Sequence, residues 1–224
     1  MIRSLLLDLD GTLINSERGF AKCFIDVLND NYGCNATTND YINYELKQNT
    51  QLIKYFKSLG KLNEISEDEI MSIVYANYTD YFIKAINEDE AKDNFRLLRK
   101  LKEQGYILSL VTTCRREYLD ILDKHEKIYH IFSAVIARND VDRKDLKPNP
   151  KAYMMALEQT GIDANEGLAI EDTVKGIQAA LGAGLRVIQV SNFSDRGEYD
   201  LSVPQEESAN LVLRKIYEEK KYIK

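Results

Sequence analysis

Short continuous apolar runs alternate with helix-spaced apolar stripes along most of this chain. One long stretch near the start breaks that alternation. The run from Ile2 to Leu9, bounded by Gly11, predicts a strand buried on both faces of a parallel sheet. From Glu17 to Asn31 the period changes, with Phe20, Phe24, Val27 and Leu28 recurring at helical spacing before Gly33, which can stop the helix. "YELKQNTQLIKYFKSLG" puts Leu52, Tyr55, Phe56 and Leu59 on one helical stripe. "SEDEIMSIVYANYTDYFIKAI" follows, with Ser66 as N-cap and Glu69 three residues on, a capping box. Residues 17–86 thus read as purely helical.

Strands then return. Phe95, Leu97, Leu98 and Leu101 mark a helix ended by Gly105, and "YILSLVTT" is a strand. "RREYLDILDKH" is a helix and "FSAVIA" a short strand. Asn149 caps, and Pro150 opens, the helix "KAYMMALEQTG". "GLAIED" is a strand, "TVKGIQAALGAG" a helix and "LRVIQV" a strand. Strands alternating with helices mean a parallel sheet. The predicted fold is α/β: a Rossmann-like parallel-sheet core with helices on both faces, plus an all-α cap inserted after the first strand. The core takes residues 1–16 and 88–224 and the cap 17–87, with hinges near 15–17 and 87–93. The cap is expected to shift between unliganded and phosphate-bound states.

Composition narrows the partners. The 224 residues suffice for a large domain plus a smaller one, and 44% hydrophobic content supports a core. A net charge of −6 argues against binding nucleic acid through its phosphates. The closing "LRKIYEEKKYIK" is mixed in sign and reads as a solvated terminal helix. Cys23, Cys34 and Cys114 form neither a disulfide framework nor a metal-ligand spacing, which points to a reducing cytoplasm. The N-terminus does not have the make-up of a signal peptide, and no apolar stretch is long enough to span a bilayer.

The chemistry collects at strand ends, where open parallel sheets bind ligands. Asp8 and Asp10 follow the first strand, Thr112 and Thr113 the second, and Glu171 and Asp172 close "GLAIED". Lys147 lies in the polar loop "DLKPNP". Four carboxylates cannot share a dry site without a cation. An all-oxygen site suits a hard ion, and Mg²⁺ is the cellular default. Mg²⁺ with lysine and hydroxyl donors suits a phosphoryl group, which a carboxylate can attack to form an aspartyl phosphate. One aspartate then attacks while the other handles the proton.

Four motifs occur in order: "DLDGTL", Thr112 of "LVTT", Lys147 of "LKPNP", and "IEDTVKG". In them the chain resembles the haloacid dehalogenase superfamily, in the subgroup with a helical cap, over nearly its whole length. The resemblance implies that Asp8 is the nucleophile and a metal ligand. It implies that Asp10 protonates the leaving oxygen, then activates water, and ligates Mg²⁺ through its backbone carbonyl. Thr112 and Lys147 would hold phosphate oxygens, Lys147 also neutralising Asp8. Asp172 would ligate the metal, and Glu171 directly or through water. Gly11 would let the backbone approach the phosphate. The Lys147–Pro148 bond is expected to be cis. Thr113 stands where many relatives carry Asn, Asn15 where they often carry Asp, and Gln48 where a glycine is usual in the cap loop. Lys47, beside Gln48, is the candidate point charge for a distal part of the substrate.

Blander readings compete with these. Asp-x-Asp-Gly alone also fits a turn or a calcium-loop fragment. Lys144 rivals Lys147, and the Lys-Pro-x-Pro setting favours the latter. Cys114 reads as packing, His125 and His130 as surface, Arg115 and Arg116 as solvent-facing, and the 14 tyrosines as core and cap packing. The expected function is hydrolysis of a small phosphorylated metabolite, with phosphoglycolate, sugar phosphates and nucleotides all open. A sugar phosphomutase is the enzyme alternative and a phospho-aspartate receiver module the non-enzyme one. Asp10 argues against a dehalogenase. The expected state is a monomer or weak homodimer.

Overall fold

A computed structural model of the protein describes residues 1–46, 51–191, 193 and 199–222. Lys47, Gln48 and the rest of the cap-loop stretch 47–50 lie outside the described residues. The chain divides into two compact units, Met1–Asn15 with Ile86–Lys224, and Ser16–Ala85.

The larger unit is built on a six-stranded sheet in the order β3-β2-β1-β4-β5-β6. Its strands are β1 (Ser4–Leu7), β2 (Ile107–Val111), β3 (Ala134–Ile136), β4 (Gly167–Glu171), β5 (Arg186–Val190) and β6 (Gln205–Glu206). Every pairing is parallel. The first strand is central: Leu5 pairs with Leu108 on one side and Leu168 on the other, and Leu7 with Leu110 and Ile170. All four of its residues are buried, as a strand covered on both faces requires. Leu6 belongs to the cluster that holds Tyr153, Ala156, Ile177 and Ala180 from the helices. Strand order reverses beside β1, which makes the crevice beyond its carboxyl end the expected ligand position.

In the smaller unit, α1 (Ser16–Tyr32) is followed by the single turn α2 (Thr38–Asp40), then α3 (Gln51–Ser58), α4 (Glu67–Asn77) and α5 (Thr79–Ile86). Ser66 caps α4, its hydroxyl accepting the Glu69 N–H at 3.0 Å. The core is aromatic: Phe20 stacks edge-on to Tyr78 at 5.2 Å, and Phe24 edge-on to Tyr41 at 6.0 Å. Tyr41–Leu46 form a π-helix rather than the α-helical lead-in expected for this segment. The wider turn shifts the apolar spacing that a 3.6-residue period assumes.

The larger unit's helices are α6 (Asp89–Glu103), α7 (Arg116–Glu126), α8 (Ile128–Ile131), α9 (Lys151–Thr160), α10 (Val174–Gly182) and α11 (Ala209–Glu219). α9 starts one residue later than expected, with Pro150 at the N-cap, and Asn149 Oδ1 just before it accepts the Lys151 N–H at 2.9 Å. The terminal helix corrects the sequence reading. α11 starts earlier, and it buries Ala209, Val212, Leu213 and Ile216 while packing against α6. The mixed charges of its last turns hid that stripe. Arg116 is also not simply solvent-facing: it pairs with Asp140, and its N–H binds Asn139 Oδ1 at 2.9 Å. His125 and His130 are exposed, and all three cysteines are free and buried. No helix among the described residues is long and apolar enough to cross a membrane.

Candidate active site

Asp8 follows β1 directly, and its N–H still donates to Ile170 O at 3.1 Å, extending the ladder. The chain then turns back on itself: Leu13 and Ile14 N–H both donate to Leu9 O, and Gly11 N–H to Ile14 O. Gly11 has φ +80°, and a Cβ on it would overlap Asp172 Oδ2. The close neighbour that requires a glycine here is thus the Asp172 carboxylate. Thr12 donates to the same group, to Oδ1 at 3.4 Å.

Lys147 reaches this turn from the loop before α9, where the Lys147–Pro148 bond is cis as expected. Its ammonium donates to Asp8 Oδ1 at 2.5 Å, Glu171 Oε1 at 2.5 Å and Val111 O at 2.9 Å. All three of its hydrogens are thereby used. Lys144, its rival, is exposed. Carboxylate oxygens of Asp8, Glu171 and Asp172 come within 4.8 Å of one another, all on buried residues. The Asp10 carboxylate stands beside this trio, its Oδ2 accepting from Thr112 Oγ1 at 3.3 Å. Thr112 is buried and accepts the Cys114 N–H at 3.0 Å, whereas Thr113 is exposed.

Burial pushes the Asp8 carboxyl well above the usual carboxylate range; Glu171 and Asp10 add to this and Lys147 opposes it. Burial alone would lower Lys147, but Asp8 and Glu171 more than offset it and hold the lysine above its ordinary value. Two of these three buried carboxylates, Asp8 and Glu171, share the Lys147 ammonium. Glu171 Oε2 is buried and has no hydrogen-bond partner among the described residues. Such a donor set is made only of oxygen, which suits a hard cation.

Several supporting residues escaped the sequence reading. Tyr153 on α9, taken there as packing, donates its hydroxyl to Glu171 Oε1 at 2.5 Å. Gln189 on β5 donates to the Asp172 carbonyl at 3.0 Å. Gly176, which closes the "IEDTVKG" motif but was given no role there, leaves room in the first turn of α10 for the Glu171 carboxylate, which a Cβ would overlap. Asn94 on α6 is fully buried and donates to Leu13 O at 2.9 Å. Their only sequence signal is a polar or small residue at a position where apolar periodicity wants a large one.

The chain matches the family model for haloacid dehalogenase-like hydrolases over residues 5–190. The chain belongs to this family. Among curated proteins it is 26% identical over 190 residues to the pyrophosphatase PpaX of Bacillus cereus strain G9842, covering 85% of this chain and 83% of that protein. Among solved structures it resembles CbbY from Rhodobacter sphaeroides in complex with phosphate. That match has a TM-score of 0.72, 23% identity, and covers 94% of this chain and 96% of the other. A family IA haloacid dehalogenase hydrolase from Entamoeba histolytica matches with a TM-score of 0.72 at 19% identity, covering 94% and 95%. As a hydrolase of this family, the chain presents its four motifs along one strand-end edge of the sheet.

Proposed function

We propose that this hydrolase is a Mg²⁺-dependent phosphatase that cleaves a small phosphomonoester through an aspartyl phosphate on Asp8. The observation that carries the reading is the Lys147 ammonium clamped between Asp8 and Glu171, with Asp172 completing a trio of converging carboxylates. The all-carboxylate donor set and the lack of a hydrogen-bond partner at Glu171 Oε2 among the described residues fit a hard cation. Asp8, Glu171, Asp172 and the Asp10 carbonyl would hold it. When bound, Mg²⁺ would supply charge neutralisation for the carboxylates and for the transferring phosphoryl group.

Lys147 holds one Asp8 oxygen and leaves the other to attack phosphorus. As the Asp8–phosphorus bond forms, the ester bond breaks, and protonated Asp10 gives its proton to the departing oxygen. Water then attacks the aspartyl phosphate. Asp10 takes the water's proton, the Asp8–phosphorus bond breaks, and inorganic phosphate leaves. Thr112 orients Asp10 for both transfers and, with Lys147, lies beside the phosphoryl position. The Gly11 turn sets Asp172 against the backbone immediately after Asp10. The proposed substrate is a small phosphorylated metabolite in a reducing cytoplasm, and the PpaX relatives add pyrophosphate to the compounds worth testing.

The test is turnover of p-nitrophenyl phosphate with Mg²⁺, followed by a panel of phosphoglycolate, sugar phosphates, nucleotides and pyrophosphate. Asp8→Asn should lower kcat on the order of 10³-fold or more, as for other groups that act as a unit. Excess EDTA should abolish turnover and added Mg²⁺ restore it. Wild-type rates in Asp8→Asn, or undiminished turnover in EDTA, would remove the basis of this reading.

A further inference from the structure

Glu171 is held by a tyrosine that none of the four motifs contains. Tyr153 is fully buried on α9, and its hydroxyl donates to Glu171 Oε1 at 2.5 Å. The Lys147 ammonium shares that oxygen at 2.5 Å and lies 5.3 Å from the centroid of the Tyr153 ring. One side chain thus touches both the carboxylate and the cation that pairs with it. A phenylalanine would fill the same space in the core. A buried hydroxyl is costly unless bonded, and this one is bonded to a carboxylate.

We propose that Tyr153 is a positioning residue for the metal site, fixing Glu171 by its Oε1 and leaving Oε2 as the oxygen available to the cation. This rests on the Mg²⁺ reading above. The last torsion of a glutamate is broad and close to two-fold, so packing alone does not choose between its two oxygens. Two donors on Oε1 make that choice. Oε2 is buried and has no hydrogen-bond partner among the described residues. Gly176 makes room for the carboxylate in this position, because a Cβ there would overlap it. Lys147 cannot fix Glu171 alone. It spends its other two hydrogens on Asp8 and Val111, and it is satisfied by whichever glutamate oxygen faces it. Outer partners that orient a metal-binding carboxylate typically govern affinity about 10–100-fold.

The experiment is calorimetric titration of Mg²⁺ into metal-free protein, for wild type, Tyr153→Phe, Glu171→Gln and the double variant. Tyr153→Phe keeps the ring, its volume and its contact with Lys147, so thermal melting of the metal-free protein should change little. We expect Tyr153→Phe to raise the Mg²⁺ Kd about tenfold. In the Glu171→Gln background the same change should have no further effect, because the residue acts through Glu171. An unchanged Kd in Tyr153→Phe overturns the proposal, and so does an additive effect in the double variant, which would mean a general packing role. Should Tyr153→Phe alone not fold, the comparison within the Glu171→Gln background decides by the same criterion. If wild type takes up no Mg²⁺, the metal reading falls and takes this proposal with it. That outcome is distinct from uptake that ignores the hydroxyl.

Discussion

Single atoms decide the site, and Gly176 shows how. Glycine to alanine inside a helix ordinarily stabilises by up to about 1 kcal/mol, since alanine has the better helix propensity. At Gly176 the sign should reverse. The added methyl would overlap three atoms of the Glu171 carboxylate, which is buried and fixed by Lys147 and Tyr153. Overpacking of this kind costs about 1–3 kcal/mol. Gly176→Ala should therefore lower the melting temperature and, by displacing Glu171, reduce turnover. A rise in melting temperature with unchanged rate would show that the carboxylate moves aside freely. The sequence showed Asp8, Asp10, Lys147 and the Glu171–Asp172 pair because each sits at a strand end or in a loop where an acid or a lysine is conspicuous. Gly176 and Tyr153 sit inside helices, where glycine and tyrosine look like ordinary helix content. Their meaning depends on a carboxylate brought in by a different element.

At the scale of elements, the strands and most helices were legible because buried parallel strands are continuous apolar runs bounded by turn residues. α11 was not, since its buried stripe is interrupted by charges and its sequence neighbours are irregular. Its attachment is polar as well as apolar. Asp93 on α6 accepts from Asn210 at 2.9 Å and pairs with Arg96 and with Arg214, while Asn210 also donates to Asn94 at 3.1 Å. Partial burial would raise the Asp93 carboxyl, but Asn210, Arg96 and Arg214 outweigh it and hold the group below its ordinary value. A lowered folded value means stability that is present above the unfolded value near 3.9 and lost as pH falls through the folded one. Asp93→Asn should then cost about 1 kcal/mol at pH 7, the scale of a partly exposed pair. The variant and wild type should converge in urea melts carried below that folded value. A gap that persists in acid would mean that Asp93 acts by packing rather than by charge.

For the whole molecule, the open question is what happens to the phosphoryl group once it leaves the substrate. A mutase must hold a bisphosphate by its distal end, a task suited to an arginine fork. The only arginine in residues 17–87 is Arg18. Hydrolysis should therefore outrun isomerisation. Incubation with beta-glucose 1-phosphate, Mg²⁺ and a trace of bisphosphate should release free phosphate, and faster formation of glucose 6-phosphate would reverse the assignment. The sheet order has a consequence for how the protein is made. The central strand is synthesised before both of its neighbours, one of which ends only at Glu171. On the ribosome, β1 waits with both edges unpaired until β2 and then β4 emerge, and such late long-range pairing is slow. A nascent chain that stalls before Asp172 carries Asp8 and Asp10 without the carboxylates they stand beside, so the acidic cluster can assemble only after β4 has left the ribosome.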